Sequence, residues 1–332
     1  ILAFGGSFIS GSKEDLDNMA IGFAQRGYVV SSIDYRLYDK LAFIDSALLI
    51  DVVVKGMGDM KAAIRFFKQD YSEQGNTYSI DTNYIFAGGV SSGAILACHV
   101  GLVSHNDDIP TYFQSSIDAN GGWEGNSNSN SMEYSSNITG VLSFSGALKE
   151  TEWITKSEVP VFLVHDTADA VVPYERGQSV INIGTFSIPL VYVSGGKKMY
   201  DALQNNNIKS QLLSVPSKEH VSYFQGETVD TFLDSVWKSS TIFIESIICD
   251  ATWGINDPDL NFSLSPNPTK GILNINSKIY FNSISVFDQV GRLVKKTDSN
   301  INFLNISNLS EGYYFVQVST DIGTKTKKVL LK

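Results

Sequence analysis

Apolar positions along the first 250 residues fall into short runs that alternate between two periods. Buried-strand runs are expected at Ile1–Phe4, Tyr28–Ile33, Tyr84–Ala87, Gly140–Phe144, Val161–His165 and Ser210–Val215. Between them, apolar residues at helical spacing predict helices over Lys13–Arg26, Ile50–Gln69, Gly93–Val103, Gly195–Asn205 and Gly226–Ile247. Strand–helix alternation of this kind implies an α/β class, a mostly parallel sheet covered by helices. The pattern then changes. The segments GILNI, SISVFD, RLVKK, YYFVQVST and KTKKVLLK have no helical period and are separated by Gly, Asn, Ser and Asp. Five short alternating strands predict a small all-β sandwich.

The division expected from these patterns is a catalytic-type α/β domain over 1–250, a linker over 251–260 and a β-sandwich over 261–332. Ala251 to Asp259 (ATWGINDPD) supplies the Gly, Pro and Asp of a linker. Asn126 to Ser136 reads as a solvated Ser/Asn-rich connection, and no internal repeat is evident. The first residues already lie inside a strand, which reads as a piece whose leading residues are missing.

Charge sharpens the division. The chain of 332 residues has a net charge of −10. From Asp257 onward, nine Lys/Arg face six Asp/Glu, so the tail is +3 and the rest −13. An acidic chain argues against nucleic acid as a partner. No apolar run approaches the ~20 residues of a membrane-spanning helix. Of two cysteines, Cys98 reads as a buried filler, and no Cys/His spacing suggests a zinc site. Cys249, at the end of the last long helix, is expected to pair with a cysteine preceding Ile1 if the protein is exported.

The candidate chemistry starts at Ile85–Ala97, IFAGGVSSGAILA. Gly89-Val90-Ser91-Ser92-Gly93 is a G-x-S-x-G pattern between a strand and a helix, the setting of a nucleophile elbow. Ser91 is the expected nucleophile, at a helix N-terminus that favours developing negative charge. The bland alternative is a glycine-rich turn carrying a solvated serine.

A serine nucleophile needs a base, an acid and oxyanion donors. Of four histidines, His99 and His105 lie along or beyond the helix that follows Ser91. They are expected to point away from the elbow as structural or surface groups. His165 ends a strand and suits a structural hydrogen bond. His220, on a strand-to-helix loop, is the candidate base. HDTADAVVP offers two acids, Asp166 and Asp169. Asp169, beyond the turn, is favoured, and Asp166 is the alternative. The backbone N–H groups of Gly6 and Ser7, in AFGGSFISGS, and of Ser92 are the candidate oxyanion donors. The order Ser91, Asp169, His220 is that of the α/β-hydrolases.

On FGGSFISGSK, VVSSIDYRL, GGVSSGA, HDTADAVVPY and KEH, the chain resembles the α/β-hydrolase superfamily, in particular its secreted carboxylesterase/lipase-like members. Two departures are that Phe4 stands where family members usually carry His, and Asp166 where they usually carry Gly. The resemblance implies ester hydrolysis through an acyl-enzyme on a small or polymer-linked ester, with no cofactor and no metal. Without an evident lid between Ser91 and Asp169, an open pocket is expected. A prolyl-oligopeptidase-like peptidase and a non-catalytic adhesion module on the same fold are the alternatives.

The tail, FSLSPNPTKGILNI through KTKKVLLK, resembles the C-terminal sorting domain of the type IX secretion system of Bacteroidetes. That resemblance implies the secretion machinery as a partner and export across the outer membrane.

Overall fold

The computed structural model describes residues 1–38, 46–105, 109–125, 131–183, 186–252, 262–277, 281–297, 301–320 and 323–332. They form two compact units, Ile1–Ile247 and Ile248–Lys332.

The first unit runs β1 (Leu2–Ala3), α1 (Asp17–Ala24), β2 (Ser32–Ile33), α2 (Ser46–Glu73), β3 (Phe86–Val90), α3 (Ser92–Leu102), α4 (Thr111–Ala119), β4 (Gly140–Phe144) and β5 (Val161–Asp166). It continues through β6 (Arg176–Ile183), β7 (Phe186–Ser194), α5 (Gly196–Asn205), β8 (Ser210–Val215), α6 (Ser222–Gln225) and α7 (Val229–Thr252). Six strands make one parallel sheet in the order β2-β1-β3-β4-β5-β8. The direction of winding reverses between β1 and β3. The crevice at the carboxyl ends of those two strands is where such sheets gather ligands.

Strand alternation assigns residues to the two faces of the sheet. On one face, Phe162 of β5 meets Phe243 of α7, with ring centroids 5.7 Å apart. Phe144 of β4 meets Phe224, and Trp237 of α7 packs edge-on to Phe23 of α1 at 5.0 Å. Val141 of β4 belongs to the other face, where α3 comes close enough that a side chain at Gly101 would collide with it.

Several elements differ from the sequence reading. β1 and β2 shrink to two residues each, while α2 extends the predicted Ile50–Gln69 at both ends. The helix expected over Lys13–Arg26 begins as a 3-10 turn, Lys13–Leu16, before α1. The antiparallel hairpin β6–β7 and helix α4 were not expected. Ala251 and Thr252, read as linker, continue α7 as helix, and the rest of that linker lies outside the described residues. In the Ser/Asn-rich segment, Ser131 and Ser136 are buried rather than solvated. Cys98 is buried and Cys249 exposed, both as free thiols.

The second unit holds a three-stranded and a four-stranded antiparallel sheet. The strands are β9 (Phe262–Ser265), β10 (Ile272–Ser277), β11 (Ser283–Phe287), β12 (Leu293–Thr297), β13 (Phe303–Asn305), β14 (Gly312–Thr320) and β15 (Gly323–Leu331). Their orders are β13-β10-β9 and β12-β11-β14-β15. Leu273, Ile275 and Leu304 from the first sheet share one core with Ile284, Val316 and Val329 from the second. β10, β13 and β14 hide alternate residues there, as a sandwich requires, while β12 buries none.

Candidate active site

Ser91 lies between β3 and α3 with φ 53° and ψ −118°, a left-handed backbone that a serine adopts only under constraint. The constraint is visible on both sides. The Ser91 N–H donates to Phe144 O at 2.9 Å, fastening the turn to β4. A side chain at Gly89 would put its Cβ 2.5 Å from Ala3 O, and one at Gly93 would run into the same carbonyl of β1. The elbow glycines are therefore set by the close approach of β1, and the serine between them is forced outward.

His220 follows β8, and Val221 after it has φ 60°, which turns the chain sharply into α6. His220 Nε2 lies 2.8 Å from Ser91 Oγ, and His220 Nδ1 lies 2.6 Å from Asp169 Oδ2. The other oxygen of Asp169 accepts the N–H of Val171 at 2.8 Å and of Val172 at 3.0 Å. Burial works to raise the Asp169 pKa, but hydrogen bonds from His165 and His220 outweigh it and bring it down to about 2.

The two aspartates do different things because β5 alternates. His165 and Asp166 are successive strand residues, so they face opposite sides of the sheet. Asp166 turns toward α6, where one carboxylate oxygen accepts the Ser222 hydroxyl and the other the Ser222 N–H at 3.2 Å. It fastens the turn two residues beyond His220 without touching the imidazole. Burial raises its pKa more than the Ser222 hydrogen bonds lower it. His165 turns the other way, with Nδ1 accepting the Gly196 N–H at 3.1 Å. Its Nε2 therefore carries the proton, lying 2.9 Å from Val172 O and 3.4 Å from Asp169 Oδ2.

The loop after β1 reaches the same place. Gly6, Ser7 and Phe8 all have positive φ, at 124°, 56° and 64°. Among the described residues, the N–H groups of Gly6, Ser7 and Ser92 have no acceptor. Ser7, Ser91 and Ser92 line one cleft. Tyr35 holds this loop from below: its hydroxyl donates to Phe4 O at 2.9 Å and lies 3.1 Å from Ser92 Oγ. Its ring stacks on Phe4 at 4.4 Å, and burial pushes the phenol pKa up to about 12. Phe4 thus forms an apolar layer with Tyr35 beneath the loop.

The cleft, with the open solvent at its mouth, spans about 630 Å³, and its walls are mostly apolar, with Phe8 and Phe113 beside the aliphatic side chains. α2 contributes Leu49, Ile50 and Val53, and the β6–β7 hairpin contributes Val180, Val191 and Val193. Sequence reasoning missed this hairpin, although two β-branched runs around Gly184-Thr185 carried its signal. It also missed Tyr35 and the contact of His165 with Asp169. His99, expected to point away from the elbow as a structural or surface group, is buried and also lines the cleft. Its ring is nevertheless occupied, with Nδ1 on Ile95 O at 2.8 Å and Nε2 accepting the Lys149 N–H at 3.3 Å. Burial lowers its pKa to about 4, so it is neutral. His105, outside the cleft, packs edge-on to Trp123 at 6.5 Å.

Comparison with known proteins agrees with this geometry at the level of fold. The BD-FAE family model matches residues 1–152, which include Ser91 but end before Asp169 and His220. The model of the secretion system C-terminal sorting domain matches residues 263–332. Among curated proteins, no match is found. Solved structures of esterase 2 from the planctomycete Thermogutta terrifontis share the fold. The propionate-bound form is 18% identical with a TM-score of 0.53, covering 74% of this chain and 82% of the other. The native form is 18% identical at 0.51, covering 74% and 80%. The form phosphorylated by paraoxon is 20% identical at 0.52, covering 74% and 81%. No helix among the described residues is long and apolar enough to cross a membrane. The chain is an esterase-like α/β-hydrolase fold followed by a type IX sorting domain, which marks it for export to the cell surface or beyond.

Proposed function

We propose that the protein is a serine carboxylic-ester hydrolase in which Ser91 is the nucleophile, His220 the base and Asp169 the acid. The observation that carries this reading is the continuous chain Ser91 Oγ–His220 Nε2, 2.8 Å, and His220 Nδ1–Asp169 Oδ2, 2.6 Å. Ser91 Oγ forms a bond to the ester carbonyl carbon while its proton passes to His220 Nε2, and the carbonyl electron pair moves onto oxygen. The N–H groups of Gly6, Ser7 and Ser92 hold that oxyanion, helped by the N-terminus of α3. As the tetrahedral species collapses, the leaving alkoxide takes the proton from His220, and the acyl group stays on Ser91. Water then attacks the acyl carbon, losing a proton to His220, and the carboxylic acid departs as Ser91 recovers its hydroxyl. Asp169, ionised and held by two backbone N–H groups, keeps the imidazole oriented and stabilises its charged form.

Paraoxon, which phosphorylates the Thermogutta esterase, is a suitable probe. One equivalent should label Ser91, located by peptide mass, and should abolish hydrolysis of p-nitrophenyl esters. Ser91→Ala should lose on the order of 10⁴–10⁶ in rate while keeping its thermal midpoint. Label on any other serine, or an active Ser91→Ala, would overturn the assignment. Aminoacyl anilides in the same panel test for peptidase activity.

A further inference from the structure

The cleft at Ser91 has a side, a length and a wall chemistry, and together they say what it holds. Resting on the ester-hydrolase reading above, we propose that it is the acyl site and that it takes an aliphatic acyl chain of about six to eight carbons.

The side follows from the leaving group. An alkoxide departing from the tetrahedral species must meet His220 Nε2 to collect its proton. His220 is not among the described residues lining the cleft, whereas Ser91 and the oxyanion candidates Ser7 and Ser92 are. The cleft is therefore assigned to the acyl group, which leaves the space at His220 Nε2 to the leaving oxygen.

The length follows from α3. Ser92, Ile95 and His99 line the cleft at intervals of three and four residues, so they form one face of the helix. Seven residues of α-helix rise about 10 Å. An extended hydrocarbon with C–C bonds of about 1.5 Å advances roughly 1.25 Å per bond, so about eight carbons fill that distance.

The wall chemistry excludes other acyl groups. Every polar side chain beyond the serines of the reacting centre already has a partner. Ser179 Oγ donates to Val191 O at 3.1 Å. Lys149 Nζ meets Glu150 Oε1 at 2.6 Å. His99 has both ring nitrogens engaged and is uncharged. A phenolic hydroxyl entering the cleft would lose water and compete for partners already engaged, a mismatch worth about a hundredfold. A methylene loses nothing polar, and its burial favours binding about fourfold.

The test uses the full chain with p-nitrophenyl esters from acetate to dodecanoate and with p-nitrophenyl ferulate. kcat/KM should climb about fourfold per methylene to six or eight carbons, then level or fall. Ferulate should be at least a hundredfold poorer than octanoate. A flat or falling series with good turnover of acetate overturns the proposal alone, as does ferulate matching octanoate. No turnover of any ester overturns the hydrolase reading and this proposal with it. Ile95→Trp, halfway along the floor, should move the optimum to four carbons or fewer and cut the octanoate-to-acetate ratio at least tenfold. Val191→Trp on the facing hairpin should do the same if Ile95→Trp fails to fold. Paraoxon titration counts the folded sites in each variant. An unchanged optimum in a folded variant overturns the proposal.

Discussion

His165 Nε2 lies 3.4 Å from Asp169 Oδ2, the same carboxylate oxygen that His220 Nδ1 meets at 2.6 Å. Two imidazoles thus converge on one buried acid, and two backbone N–H groups cover its other oxygen. An acid so surrounded has little rotational freedom and no reason to take a proton. Its pKa of about 2 says the same.

Replacing this carboxylate should be far more damaging than replacing its neighbour. Asp169→Asn puts an amide where His220 Nδ1 needs an acceptor, which favours the wrong imidazole tautomer. A loss in kcat on the order of 10⁴ is expected. Asp166→Asn touches only the Ser222 anchor and should lose about tenfold or less. Steady-state kinetics on both variants decide between them, and the reverse ranking would move the acid role to Asp166.

The pH dependence of stability should separate the same two residues. Asp169, lowered to about 2 from an ordinary 3.8, contributes stability that is present above 3.8 and lost as the pH falls toward 2. Asp166 is raised, so the native state holds its proton longer than the unfolded chain does. Its contribution is complete below 3.8 and declines as the pH rises through the native pKa. The thermal midpoint of Asp166→Asn, relative to the unmodified protein, should therefore improve between pH 4 and pH 8. Calorimetry that shows no such trend would mean that burial does not raise the Asp166 pKa in the native state.

Tyr35 ties the loop carrying Gly6 and Ser7 to the residue after Ser91, through Phe4 O and Ser92 Oγ. One neutral hydrogen bond of this kind is worth about 0.5–1.5 kcal/mol. Tyr35→Phe should lower kcat about threefold to tenfold and leave KM close to its starting value. Ser92→Ala should fall in the same range, because its own N–H is retained. The double variant should cost less than the product of the two, since both remove one link. Multiplicative losses would show that Tyr35 and Ser92 act separately.

What could be read in the sequence follows from how local each signal is. β4 and β8 have the bounds that their apolar runs suggested, because each is bracketed by turn residues. β1 was overestimated because Phe4, apolar and strand-like, turns its carbonyl to the Tyr35 hydroxyl. α4 spans only nine residues, too few turns for a helical period to stand out. Order and context propose Ser91, Asp169 and His220, but Ser91 and His220 stand 129 positions apart and only the fold brings them to 2.8 Å. The separation of Asp166 from Asp169 depends on which face of β5 Asp166 leaves and where the turn after it carries Asp169, and the two intervening positions do not encode that. His165 was hidden for the same reason. The cleft walls come from α2 and the β6–β7 hairpin, elements whose patterns say what they are but not what they face.

The last prediction concerns removal of the tail. Residues 1–247 and 248–332 form separate compact units, and the second has its own core, from Phe262 to Leu331. Ser91, Asp169, His220 and the whole described lining of the cleft belong to the first. A unit with its own core and all the candidate site residues should not need the second unit for chemistry. Ending the chain after Asp257 keeps all of α7, whose Phe243 and Trp237 cover one face of the sheet. Such a truncated protein should keep kcat and KM within about twofold and unfold in a single cooperative transition. Cutting within α7, after Ser235, should instead expose Phe162 and Phe144 and leave little folded protein. In the exporting cell, loss of residues 263–332 should hold the enzyme inside the envelope, because the address is gone while the fold is intact. Activity measured separately in cell and culture fluid reads both effects, and a truncated enzyme that reaches the medium would show that the tail is not the export signal.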